Sequence, residues 1–123
     1  MTHDELNIEV RPEDDGTAVL FKLRGTLDIA TSPTLRAALT EAQTAKKNVV
    51  VDLTQVEFLD STGLGALIGA HRRAEEGGTS VRLIVTEGPI LRLLAITGLI
   101  RALAVYHSVG DALGNQARVT ATP

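Results

Sequence analysis

The chain has 123 residues, 44% of them hydrophobic and only 2% aromatic, with no cysteine and a formal net charge of −3. That length fits one domain of common size, and the hydrophobic fraction is too high for a disordered chain. The composition excludes disulfides, thiolate metal sites and cysteine nucleophiles. Phe21, Phe58 and Tyr106 are the whole aromatic set, too few for a platform that stacks single-stranded nucleic acid.

Met1-Thr2-His3-Asp4-Glu5 is polar and acidic, unlike a signal peptide. Leu6 to Val10 alternates apolar and polar residues, the pattern of a half-buried strand. Asp14-Asp15-Gly16 marks a turn, and Ala18 to Leu23 resumes the apolar pattern, so an antiparallel hairpin is predicted. Gly25-Thr26-Leu27-Asp28 leads to a helix for which Ser32 is the predicted cap and Pro33 the first residue. Leu35, Leu39 and Ala42 share one face of it, and Lys46 and Lys47 suit the negative pole at its end.

Val49 to Leu53 is a β-branched apolar run, predicted as a strand buried on both faces, with a loop from Thr54 to Leu59. A second helix starts near Asp60-Ser61. Leu64, Leu67, Ile68 and His71 recur at helical spacing, and Gly77-Gly78 stops it. Val81 to Val85 is another strand, parallel to the last. Gly88-Pro89 opens a third helix, Ile90 to Ile96, ended by Gly98. The stretch from Ile90 to Tyr106 is the most apolar in the chain, but Arg92 and Arg101 interrupt it and it is too short to span a bilayer. Leu103 to Tyr106 is a final short strand, and Ser108-Val109-Gly110-Asp111 has the form of a capping box opening a last helix. The order predicts an α/β fold with a mixed, mostly parallel sheet covered by about four helices. Residues 1–114 read as a single domain and 115–123 as a flexible tail.

The informative stretch is Val56 to Ile68, between a buried strand and an amphipathic helix. Loops at the carboxyl ends of strands are where ligands and partners dock in open α/β sheets. Phe58 and Leu59 are expected to anchor the loop. Asp60 is a good N-cap, and Ser61 falls in the first helical turn. Gly63 and Gly65 each weaken the helix by roughly 1 kcal/mol relative to alanine. Two explanations stand: room for packing against the sheet, or a surface that another backbone must approach closely.

Other chemistries fit poorly. Gly63 and Gly65 supply two glycines of a dinucleotide fingerprint, but Ile68 occupies the third place. No Gly-Lys-Ser/Thr run exists. Ser61 has Leu59 two residues before it, where a hydrolase elbow needs glycine. His3, His71 and His107 are dispersed, so neither a metal site nor a catalytic set emerges. The basic residues are scattered, with no run longer than Lys46-Lys47 or Arg72-Arg73, so no nucleic-acid footprint is present.

Leu59-Asp60-Ser61-Thr62-Gly63-Leu64-Gly65 resembles the signature of the anti-sigma factor antagonists, the STAS domains of bacterial partner-switching systems. Gly25-Thr26-Leu27-Asp28 is similar to a second, less specific block of that family. Thr97-Gly98-Leu99 and Tyr106-His107-Ser108 resemble its C-terminal part, so the likeness runs from about Leu6 to Leu113. The resemblance implies a STAS-type fold and a cytoplasmic binding protein that is not an enzyme and needs no cofactor, metal, nucleic acid or membrane. Its implied partner is an anti-sigma factor that is also an ATP-dependent serine kinase. Binding releases a sigma factor, phosphorylation of Ser61 ends the binding, and a PP2C-type phosphatase resets the switch. Thr62 is the second choice of acceptor. Asp28, Asp60, Ser61, Thr62, Gly63, Leu64 and Gly65 are the implied partner-binding residues. The alternative within the resemblance is a STAS scaffold subunit of a stressosome or a lipid-transport ABC complex. A small nucleotide-binding enzyme is the rival outside it.

Overall fold

Leu6–Glu13 (β1) and Ala18–Leu27 (β2) form the expected antiparallel hairpin in the computed structural model, which describes residues 5–114 and 118–119. The turn between them is tight because Asp14, Asp15 and Gly16 all take positive φ, of 50°, 55° and 86°. Aspartate and glycine are the residues that tolerate that region best.

Ser32–Thr44 (α1) buries Leu35, Leu39 and Ala42, as the spacing requires. Its start differs from expectation. Thr31, not Ser32, occupies the cap position. Ser32 is fully buried, and its hydroxyl donates to the Asp28 carbonyl at 2.6 Å, which leaves it no role as a cap. Lys46 and Lys47 lie beyond the helix end. Lys46 takes a φ of 61°, and the Lys47 ammonium donates to the Gly16 carbonyl at the foot of the hairpin.

Asn48–Leu59 (β3) is the main correction to the sequence reading. The predicted strand is present from Val49 to Leu53, but Thr54 to Leu59 continue it and form no loop. β2 also runs past Leu23, and its far half pairs Arg24, Gly25, Thr26 and Leu27 with Gln55, Val56, Phe58 and Leu59. Two register shifts, at Lys22/Arg24 and Gly25/Thr26, bend this parallel pair.

Ser61–Gly77 (α2) ends on Gly78, left-handed at φ 78°. Val81–Ile84 (β4), Pro89–Thr97 (α3), Leu99–Ala102 (α4), Ala104–Tyr106 (β5) and Val109–Gly114 (α5) complete the order. Among the described residues, five α-helices therefore stand where about four were expected; the extra one is the single turn after Gly98. The Ser108 hydroxyl accepts from the Asp111 N–H at 3.0 Å, as a cap for α5 should.

The sheet order is β1-β2-β3-β4-β5, with β1 antiparallel and the rest parallel. Strand alternation divides the core. Phe21, Leu23, Val49, Val51, Leu83 and Val105 meet α1 and α2 on one face. Leu20, Val50, Ile84 and Tyr106 face the other way, against Ala112 of α5. Of the expected flexible tail, most lies outside the described residues. Arg118 and Val119 are described, and they donate to the carbonyls of Leu103 and Val105 at 2.9 and 2.7 Å.

Candidate functional site

The carboxyl ends of β2 and β3 are adjacent, so the loop before α1 and the start of α2 emerge side by side. One hydrogen bond ties them: the Asp60 N–H donates to the Leu27 carbonyl at 3.1 Å. Asp60 then caps α2 as expected. Its Oδ1 accepts from the Gly63 N–H at 2.9 Å, and its carbonyl accepts from the Leu64 N–H at 2.9 Å. The backbone of Asp60 is extended, at φ −101° and ψ −176°, the conformation a cap requires.

Ser61 is the first residue of this 17-residue helix and is exposed. Among the described residues, its hydroxyl has no hydrogen-bond partner. Thr62 is half-buried, Leu64 is half-buried against the core, and Gly65 is exposed.

The two glycines, left with two explanations by the sequence, divide between them. A Cβ on Gly63 would stand 2.7 Å from both the Leu27 carbonyl oxygen and Leu27 Cγ, and 2.9 Å from Leu59 Cδ1. Gly63 is therefore needed for the helix to seat on the strand ends. A Cβ on Gly65 would meet nothing within 4 Å, so packing inside the domain does not require this glycine.

Asp28 shapes the neighbouring loop. Its Oδ1 accepts from the N–H groups of Ala30 and Thr31 at 3.0 and 3.1 Å, and the Thr31 hydroxyl oxygen lies 3.2 Å from it. The Thr31 hydroxyl also lies 2.8 Å from the Thr26 carbonyl, its acceptor, and accepts from the Asp28 N–H at 2.9 Å. This closed set of bonds fixes the loop beside α2 and leaves Asp28 half-exposed.

Leu59 packs inward, but Phe58 does not anchor the segment. It is 55% exposed, because the register shift between Val56 and Phe58 breaks the alternation that would have put it beside buried Val56. Ile29, in the loop after β2, is 73% exposed. Sequence reasoning passed over Ile29, since a lone apolar residue in a loop has no periodicity to mark it. Two of the four large exposed apolar residues among those described therefore flank Asp28 and Ser61.

Among the described residues, no three His, Asp or Glu side chains converge on a metal-sized site. His71 is half-buried on α2, its Nε2 3.4 Å from Glu75. The cleft between the ends of β3 and β4 and the start of α3 holds about 90 Å³, below the size of ordinary small-molecule pockets. The larger depression, about 840 Å³ along Pro33, Arg36, Ala37 and Glu41, is an open strip of the α1 surface. No helix among the described residues is long and apolar enough to cross a membrane.

Residues 6–112 match the STAS domain family. The anti-sigma-B factor antagonist of Listeria monocytogenes is 32% identical over 114 residues, which cover 91% of this chain and 98% of that protein. The structure of an anti-sigma factor antagonist from Mycobacterium paratuberculosis superimposes with a TM-score of 0.79 at 26% identity, over 89% of this chain and 92% of that one. The Bacillus cell fate determinant SpoIIAA in its phosphorylated form shares the fold at 21% identity, with a TM-score of 0.68 over 89% of this chain and 98% of that one. The chain thus belongs to the STAS domain family, among relatives that are anti-sigma factor antagonists and match it over nearly its whole length.

Proposed function

We propose that this chain is an anti-sigma factor antagonist of the cytoplasm whose docking face is centred on Ser61. The observation that carries this reading is an exposed, unpartnered hydroxyl in the first turn of a long helix, beside an open Gly65. The unmodified face receives an anti-sigma factor that is also a serine kinase, and that binding frees a sigma factor. The kinase transfers the γ-phosphoryl group of ATP to Ser61 Oγ; the hydroxyl loses its proton and ADP leaves. A PP2C-type phosphatase hydrolyses the phosphoserine and restores the face. The chain itself is a binding protein, not an enzyme. Asp28, Asp60, Thr62, Gly63, Leu64 and Gly65 form or support the face, and Phe58 and Ile29 extend it with apolar surface.

The switch follows from local electrostatics. A phosphate adds roughly −1.5 to −2 charges at neutral pH. Burying such a group unpaired in an interface costs several kcal/mol, and a penalty of about 3 kcal/mol weakens binding more than a hundredfold. No rearrangement of the fold is required.

Incubation with the cognate kinase and ATP, followed by intact-mass analysis and fragment mapping, tests the acceptor. One phosphate on Ser61 is expected, and Ser61→Ala should stay bound to the kinase when ATP is present. A phosphate on Thr62 alone, or none, would remove the assignment. Co-purification with an ABC-type ATPase in place of a kinase would favour the scaffold reading.

A further inference from the structure

The first turn of α2 is where the protein's own backbone could compete for a phosphate on Ser61. A helix leaves its first four N–H groups without partners in the helix, and these attract anions. Here two of the four are already bound. The Asp60 N–H donates to the Leu27 carbonyl at 3.1 Å, and the Gly63 N–H donates to Asp60 Oδ1 at 2.9 Å. The N–H groups of Ser61 and Thr62 remain, and they lie between Asp60 and its bond to Gly63, under the field of that carboxylate. The neighbouring elements carry basic residues outside the site's loops: Arg24 of β2, whose Nε donates to Gln55 Oε1 at 3.1 Å, and Arg36 of α1. No Lys or Arg stands between Asp28 and Leu35 or between Asn48 and His71. The charged side chains of those two stretches are Asp28 after β2 and Asp52, Glu57 and Asp60 on and just after β3, all acidic.

We propose that Asp60 is a positioning residue for the switch. By holding the Gly63 N–H, and by setting its own charge beside the unbound N–H groups of Ser61 and Thr62, it keeps a phosphate on Ser61 from folding back onto the helix, so the added charge stays on the docking face. A cap without charge would let the helix absorb part of the phosphate's field, and the partner would feel less of it. The inference rests on Ser61 as the phosphoacceptor, but its test needs no kinase.

Phosphoserine is placed at position 61 during translation by a suppressor tRNA, in the natural protein and in Asp60→Asn and Asp60→Ala. Phosphorus NMR follows the phosphate through a pH titration, and proton–nitrogen NMR follows the Gly63 amide. With Asp60 present, the Gly63 amide should not change its bonding partner as the phosphate ionises. In Asp60→Ala the amide should move with the phosphate, whose midpoint should fall by roughly half a pH unit as the helix end becomes available. Asp60→Asn keeps a capping oxygen and removes the charge, so its midpoint should fall while Gly63 stays capped. A Gly63 amide that follows the phosphate in the natural protein would overturn the proposal, as would one indifferent to it in Asp60→Ala. If Asp60→Ala does not fold, an unchanged midpoint in Asp60→Asn overturns it instead. A kinase that spares Ser61 would remove the functional reading and leave these shifts untouched, so the two failures are distinguishable.

Discussion

Gly63 and Gly65 sit two residues apart in one helical turn, yet a methyl group should act on them with opposite signs. At Gly63 it would press on the backbone and side chain of Leu27 at 2.7 Å, which flexible atoms cannot relieve. Gly63→Ala should destabilise the domain by about 1–3 kcal/mol in denaturant unfolding. Gly65→Ala meets open space and should gain up to about 1 kcal/mol in the same measurement. If that open surface is the docking face proposed above, affinity for the kinase partner should nonetheless fall. Phe58→Ala separates the same two properties. A side chain 55% exposed contributes little to folding, so stability should change by no more than about 0.5 kcal/mol. Calorimetric titration of the partner should show at least a tenfold loss if Phe58 anchors the interface, that is, about 1.4 kcal/mol. The sequence revealed which residues were unusual here. It could not reveal what each touches, since Leu27 and Gly63 are far apart in the chain. Gly25 makes the same point: the block it opens was noticed, but its φ of 111° and the Glu5 carbonyl 2.0 Å from any Cβ were not legible.

At the level of elements, helices were easier to read than strand ends. Leu35, Leu39 and Ala42, and later Leu67, Ala70 and Ala74, keep strict helical spacing because α1 and α2 cover the same face of the sheet. Leu39→Ala removes a side chain with no solvent exposure, so unfolding should be easier by about 2–5 kcal/mol. The far half of β3 was missed because its composition is mixed. Thr54, Gln55 and Glu57 are exposed and polar, Val56 is buried, and Phe58 is apolar but exposed. Only pairing with β2 makes that segment a strand, and such pairing is a long-range property. α4 was missed for a simpler reason: four residues are too few to display a period. The extra length of β2 and β3 has a consequence for function. It carries the Asp28 loop and the start of α2 past the body of the sheet, where a partner can reach both. The cap there stabilises the element as well as orienting it, and Asp60→Ala should lower stability by about 0.5–2 kcal/mol.

Across the whole molecule, the fold keeps its stability and its proposed switch in different places. The larger core lies between the sheet and α1 and α2, and the smaller one lies under α5 around Tyr106. Ser61 belongs to neither, so a charge can be added there without entering either core. Fold class was legible from the order of elements, and the candidate site from the Asp60 to Gly65 block. The apolar companions of that site, Phe58 and Ile29, required the structure. The most direct measurement is the affinity of the cognate anti-sigma kinase for the unmodified protein and for the same protein carrying phosphoserine at 61, each checked by proton–nitrogen NMR. The account predicts at least a hundredfold weaker binding of the phosphoprotein, about 3 kcal/mol, with spectral changes confined to the ends of β2 and β3 and the start of α2. Equal affinities would contradict it, and so would a loss of binding accompanied by changes throughout the core.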